Sequence, residues 1–127
     1  MRQQTARSKG ASVLKTVTRS YVQERLGRPQ VALVEALPPQ CWADAHIPGA
    51  LNLPHDQVDE LAHSLLPDRD VEVIVYCANG PCANSSIASR RLEQLGYTHV
   101  ADYELGKEDW AEAGLPLESA DPGATAR

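Results

Sequence analysis

Two cysteines five positions apart, Cys77 and Cys82, bracket a short stretch of small and polar residues. Cys77 closes the β-branched run Val71-Glu72-Val73-Ile74-Val75-Tyr76, and Ala78-Asn79-Gly80-Pro81 separates it from Cys82. Ala83 and Asn84 follow, and a helical pattern begins at Ser85 or Ser86. A cysteine at the carboxyl end of a buried strand lies where open α/β sheets place their ligands. The loop's backbone N–H groups and the positive end of the next helix would surround its sulfur. That setting favours thiolate over thiol, and the thiolate is the nucleophile. Cys77 is therefore the expected catalytic residue.

The other chemistry-bearing residues have plainer readings. Cys41, beside Trp42, is expected to be structural. His46 opens the turn His46-Ile47-Pro48-Gly49-Ala50 and is expected to hold it by a hydrogen bond rather than to act as a base. His55, His63 and His99 have no acid–base constellation around them. Cys77, Cys82, Cys41 and His46 match no compact zinc spacing, so no metal and no other cofactor is expected. Trp110 reads as a core anchor of the last helix.

The elements that must position Cys77 alternate between strand and helix. Thr18 is a plausible N-cap for a short helix with Tyr21, Val22 and Leu26 on one face, ended by Gly27. Val31–Ala36 is a continuous apolar strand of the type buried on both faces of a parallel sheet. Pro38 and Pro39 break it, and Gln40 to Ala45 allows one helical turn. Residues 50–53 form a short strand that Pro54 stops. An amphipathic helix with Leu61, Leu65 and Leu66 on one face comes next. Residues 71–76 are the central strand. The helix after the cysteine loop is expected to turn Ile87, Ala88, Leu92 and Leu95 to the core, with Gly96 as its cap. Residues 99–103 are a last short strand, and residues 108–113 a last short helix. The class is α/β with a mainly parallel sheet.

The 127 residues suffice for one domain with a single core. The expected division is a disordered basic tail over 1–12, a domain over 13–120 and a flexible tail over 121–127. Residues 1–28 carry seven Lys or Arg and one acid, whereas residues 29–127 carry five bases and sixteen acids. An acidic body repels polyanions, which argues against nucleic acid as a partner. No apolar run approaches the roughly 20 residues of a membrane span, and no secretory signal is visible. Three cysteines cannot all pair within one chain, so reduced thiols in a cytoplasmic protein are the expectation.

Four segments, in order, resemble the rhodanese sulfurtransferase family. They are the strand Val31–Glu35, the stretch from His46 to Pro54, the strand–loop–helix around Cys77, and the ending Leu105-Gly106-Lys107-Glu108-Asp109-Trp110-Ala111-Glu112-Ala113-Gly114-Leu115-Pro116. The match spans about residues 17–118. It implies a five-stranded, mainly parallel sheet with helices on both faces. It also implies that Cys77 takes sulfane sulfur from a small donor, holds it as a persulfide, and passes it to a thiol acceptor. Ala78, Asn79, Gly80, Pro81, Cys82, Ala83, Asn84 and Ser85 would form the substrate cradle. Cys82 would then fill the loop tip, bind a metal, or resolve the Cys77 persulfide into a disulfide.

Departures from the family pattern narrow the chemistry. Many members have an arginine just before the helix-starting serine or threonine; here that position is Asn84, and no Lys or Arg occurs between Cys77 and Arg90. The early strand often carries an Asp and an Arg, where this chain has Glu35 and Leu37. A phosphatase would need an arginine six positions after the nucleophile, and that residue is Ala83. The alternative to an enzyme is a non-catalytic rhodanese-like module that binds a partner or senses redox state through Cys77 and Cys82.

Overall fold

A computed structural model of the protein describes residues 14–120, so both expected tails lie essentially outside the described residues. The elements are β1 Lys15–Thr16, α1 Arg19–Arg25, β2 Val31–Glu35, α2 Pro39–Asp44, β3 Leu51–Asn52, α3 Val58–Leu65, β4 Glu72–Tyr76, α4 Asn84–Gln94, β5 His99–Tyr103 and α5 Gly106–Glu112. The five strands lie in the order β1-β5-β4-β2-β3, and every neighbouring pair is parallel. The strand that carries Cys77 is thus the middle one.

Alternation along the strands divides the core between the two faces of the sheet. Val73 and Val75 of β4 pack with Val34, Val58, Ala62, Ala88 and Leu92 under α3 and α4. Ile74 and Tyr76 point the other way, onto Val22, Ile47, Tyr103 and Trp110. Trp110 is the anchor expected, with its indole N–H donating to the Pro116 carbonyl at 2.9 Å. Thr18 caps α1 as its sequence suggests, its hydroxyl accepting the Tyr21 amide at 3.2 Å.

Three elements differ from the sequence reading. The fifth strand is β1, only two residues long, paired with Ala101 and Asp102 of β5. The last helix starts at Gly106, two residues early. Ile87 faces outward and is 48% exposed, whereas Ser85, Ala88, Ser89 and Leu92 form the buried stripe of α4. Those positions follow the i, i+3, i+4, i+7 spacing, and residue 87 falls on the opposite side. Two buried serines lie in this stripe, of which Ser85 acts on Cys77 and Asp102 while the Ser89 hydroxyl has no hydrogen-bond partner among the described residues.

Beneath that end lies a buried charge. Glu35, fully buried, accepts the Tyr76 hydroxyl at 2.6 Å and the Lys107 ammonium at 3.0 Å. Lys107 also donates to the carbonyls of Ala45 at 2.6 Å and Cys41 at 3.2 Å, and Tyr76 accepts the Ile47 amide at 3.0 Å. Burial and the neighbouring Glu35 push the Tyr76 hydroxyl well above its ordinary range, so it stays a donor. Removing one partner of a buried pair strands the other. Lys107→Met should cost about 3–5 kcal/mol in denaturant unfolding, and adding Glu35→Gln should recover part of that loss. Equal stabilities of Lys107→Met and the wild type would show that the pair contributes nothing.

Candidate active site

Cys77 follows the last residue of β4 and is fully buried. Its backbone is held from behind by α5: the Lys107 amide donates to the Cys77 carbonyl at 2.9 Å, and the Glu108 amide to the Ala78 carbonyl at 2.8 Å. This approach needs a glycine at 106, where φ is +67° and a Cβ would stand 2.4 Å from the Cys77 carbonyl oxygen. Because the peptide unit is planar and trans, fixing that carbonyl aims the Ala78 N–H the opposite way, into the loop.

In the loop, the Cys82 amide is shared between the Asn79 carbonyl at 3.1 Å and the Asn79 side-chain oxygen at 3.2 Å. The resulting turn brings Cys82 back against Cys77, whose Sγ lies 3.4 Å from the Cys82 carbonyl oxygen. The Cys77 thiol donates to that carbonyl, and the two cysteine side chains interact across the turn. Backbone amides of Ala78 and Asn84 point at the Cys82 sulfur, while the amide and hydroxyl of Ser85 point at Cys77. Gly80 and Leu105 approach each other at the rim. Ala83 precedes α4, and its carbonyl accepts the Ser86 hydroxyl at 3.0 Å.

This arrangement places the negative charge differently from the sequence reading. Burial, reinforced by donation to Cys82, pushes the Cys77 thiol up, and the Ser85 groups offset only part of this. Cys82 is also partly desolvated, but the Cys77 thiol and the two backbone amides outweigh that and hold its pKa below the ordinary value. The loop amides thus favour charge at Cys82, while burial disfavours it at Cys77. Of the loop amides, those of Ala78 and Asn84 serve the second cysteine.

The remaining expected residues divide clearly. His46 holds its turn: its Nδ1 lies 2.7 Å from the Trp42 carbonyl oxygen, and its ring stacks on Trp42 with centroids 4.2 Å apart. Cys41 is exposed, and its carbonyl serves Lys107. Among the described residues, no group of three or more His, Cys, Asp or Glu is placed to hold a metal ion. No helix among them is long and apolar enough to cross a membrane. A cleft of about 810 Å³ lies at the amino ends of β2, β4 and β5, opposite Cys77, where Arg25 pairs with Glu72 at 3.1 Å.

Asp102, Gly106 and Lys107 were not singled out as site residues from the sequence. Asp102 sits at the carboxyl end of β5, beside β4, and is 3% exposed. It interacts with Ser85, which in turn contacts Cys77, and its Oδ1 has no hydrogen-bond partner. A lone acid in the apolar strand 99–103 was the available signal.

The parallel sheet order, with a cysteine and its loop at the carboxyl end of the middle strand, defines an α/β domain. The rhodanese-like domain family model matches residues 18–113, and the chain belongs to that family. It is 37% identical over 87 residues to a sulfurtransferase of Allochromatium vinosum, covering 68% of this chain and 78% of that protein. It is 30% identical over 106 residues to the HTH-type transcriptional regulator Rv0324 of Mycobacterium tuberculosis, covering 84% of this chain and 46% of the regulator. The thiosulfate sulfurtransferase PspE of Escherichia coli is 37% identical over 62 residues, 49% of this chain and 58% of PspE. The chain thus spans about half the length of these last two relatives. Among solved structures, a thiosulfate sulfurtransferase from Pseudomonas aeruginosa superposes with a TM-score of 0.74 at 29% identity, covering 84% of this chain and 20% of that one.

The buried Asp102 gives a pH test. Its folded pKa is raised above 3.8, chiefly by burial, so the unfolded chain releases this proton first as pH rises. The penalty is absent below about 3.8, grows through the interval up to the folded pKa, and persists above it. Asp102→Asn should therefore raise the melting temperature at neutral pH and leave it unchanged in strong acid. A lower melting temperature at neutral pH would show that the charge is compensated.

Proposed function

We propose that the chain is a sulfurtransferase that carries sulfane sulfur on Cys77. The observation that carries this reading is a buried strand-end cysteine whose sulfur is met by the Ser85 amide and hydroxyl and by a second thiol. The sulfurtransferase names of two relatives support it. All three cysteines are unpaired, which suits a reducing compartment such as the cytoplasm.

The steps follow from the geometry. Cys77 attacks the outer sulfur of the donor, and its proton passes to the neighbouring Cys82 sulfur, which the loop amides favour as a thiolate. The donor's remaining fragment leaves as an anion, and Cys77 keeps the sulfur as a persulfide. An acceptor thiolate then takes that outer sulfur and Cys77 is regenerated. Backbone amides of residues 78 to 84 and Ser85 stabilise the charge carried by the sulfur.

A second reading is a sensing or partner-binding module. The match to half of a transcriptional regulator and the paired cysteines favour it. Turnover separates the two readings. Cys77→Ser, nearly isosteric, should abolish transfer from donor to acceptor thiol while leaving the circular-dichroism spectrum unchanged. A wild-type chain that takes up sulfur but never passes it on would favour the module.

Donor choice follows from charge. The loop between Cys77 and Arg90 has no cation, and Arg90 acts on Asp102 instead. A guanidinium would add charge-assisted hydrogen bonds worth about 1.5–3 kcal/mol, or about 10- to 150-fold. Thiosulfate, a dianion, should therefore show a higher KM than glutathione persulfide. Asn84→Arg should lower the KM for thiosulfate selectively. Efficient use of thiosulfate by the wild type would show that neutral donors suffice.

A further inference from the structure

We infer that Cys82 is a second reacting thiol, and that the chain reduces sulfane sulfur to hydrosulfide at the expense of a dithiol. The inference rests on the loading of Cys77 proposed above and extends it to the fate of the persulfide. A cysteine that only filled the loop tip would have an apolar surrounding. Cys82 instead interacts with the Cys77 side chain, has two backbone amides acting on its sulfur, and has its own amide held twice by Asn79. The contact at 3.4 Å between Cys77 Sγ and the Cys82 carbonyl holds the two residues together across the turn. Cys82 is half-buried while Cys77 is buried, so the second thiol stands on the solvent side of the first.

After loading, Cys77 carries an outer sulfur and Cys82 holds the proton that Cys77 gave up. That proton returns to the outer sulfur as the Cys82 thiolate attacks Cys77 Sγ. The bond between Cys77 Sγ and the outer sulfur breaks, hydrosulfide leaves with the electron pair, and a Cys77–Cys82 disulfide forms. The outer sulfur is reduced and the two thiols are oxidised, so no external oxidant is required. An external dithiol then exchanges with the disulfide through a mixed disulfide, becomes oxidised itself and restores both thiols. The closed loop is short, so little chain entropy opposes its closure.

The test loads fully reduced protein with glutathione persulfide in the absence of dithiol, then quenches by alkylation. Hydrosulfide is measured alongside intact mass and peptide maps. The wild type should release hydrosulfide stoichiometrically with the chain, lose two hydrogens, and yield Cys77 cross-linked to Cys82. Dithiothreitol should then convert the single burst into continuous turnover. Cys82→Ser should lose the burst and retain one added sulfur on Cys77, and Cys77→Ser sets the background. A disulfide without hydrosulfide would mean simple oxidation and overturn the inference. A stable Cys77 persulfide in the wild type, or sulfur found on Cys82, would overturn it and leave the sulfurtransferase reading intact. No sulfur uptake by either chain would overturn both. If Cys82→Ser misfolds, the wild-type map and hydrosulfide yield decide alone.

Discussion

The arrangement of the site depends on one peptide unit, the bond between Cys77 and Ala78. Its carbonyl is held by the Lys107 amide at 2.9 Å, on the side where Gly106 permits the approach. Its N–H, pointing the opposite way, serves the Cys82 sulfur. One planar group therefore links the start of α5 to the polarity of the loop. A side chain at position 106 would collide with the carbonyl at 2.4 Å, and φ of +67° is itself a conformation that L-residues rarely adopt. Any shift of α5 rotates this peptide and re-aims the N–H with it. The cysteine loop is consequently an extension of the core rather than an independent segment.

The buried ions beneath the loop extend the same logic. Lys107 uses its amide to hold Cys77 and its ammonium to satisfy Glu35 and two carbonyls of the α2 region. A hydrophobic pair of similar volume would often be as stable as such an ion pair. What the charged version adds here is direction. Glu35 orients Tyr76, Tyr76 receives the Ile47 amide, and Lys107 draws in the carbonyls of Cys41 and Ala45. The turn after His46 and the start of α5 are thereby locked to the two central strands.

Much of this was legible from residue order. The apolar runs at 31–36 and 71–76 located β2 and β4 because parallel strands buried on both faces are continuously hydrophobic. The strand–loop–helix pattern around Cys77 was legible too, from the polar, glycine-containing stretch between an apolar run and a helical one. Other features were hidden because their determinants are tertiary. Lys15 and Thr16 have no periodicity to read, and only pairing with β5 makes them a strand. The outward turn of Ile87 follows from the burial of Ser85 and Ser89, two polar residues that a search for an apolar stripe passes over. The Glu35–Lys107 pair joins residues 72 positions apart. Local pattern also could not show which sulfur the amides serve, since that depends on how Asn79 folds the loop back.

The displaced charge has a consequence for ligand preference. In a loop with a guanidinium, an anionic donor finds a fixed positive partner. Here the cradle offers neutral N–H dipoles and already holds a thiolate-prone sulfur, with the Asp102 carboxyl acting on Cys82 from nearby. A second full negative charge entering this volume meets repulsion that the amides only partly offset. A donor whose reactive sulfur is singly charged or neutral enters more easily, particularly when the Cys77 proton moves to Cys82 as it binds. Under the proposed sulfurtransferase reading, selection among sulfur donors would thus follow from the charge that the loop amides favour at Cys82.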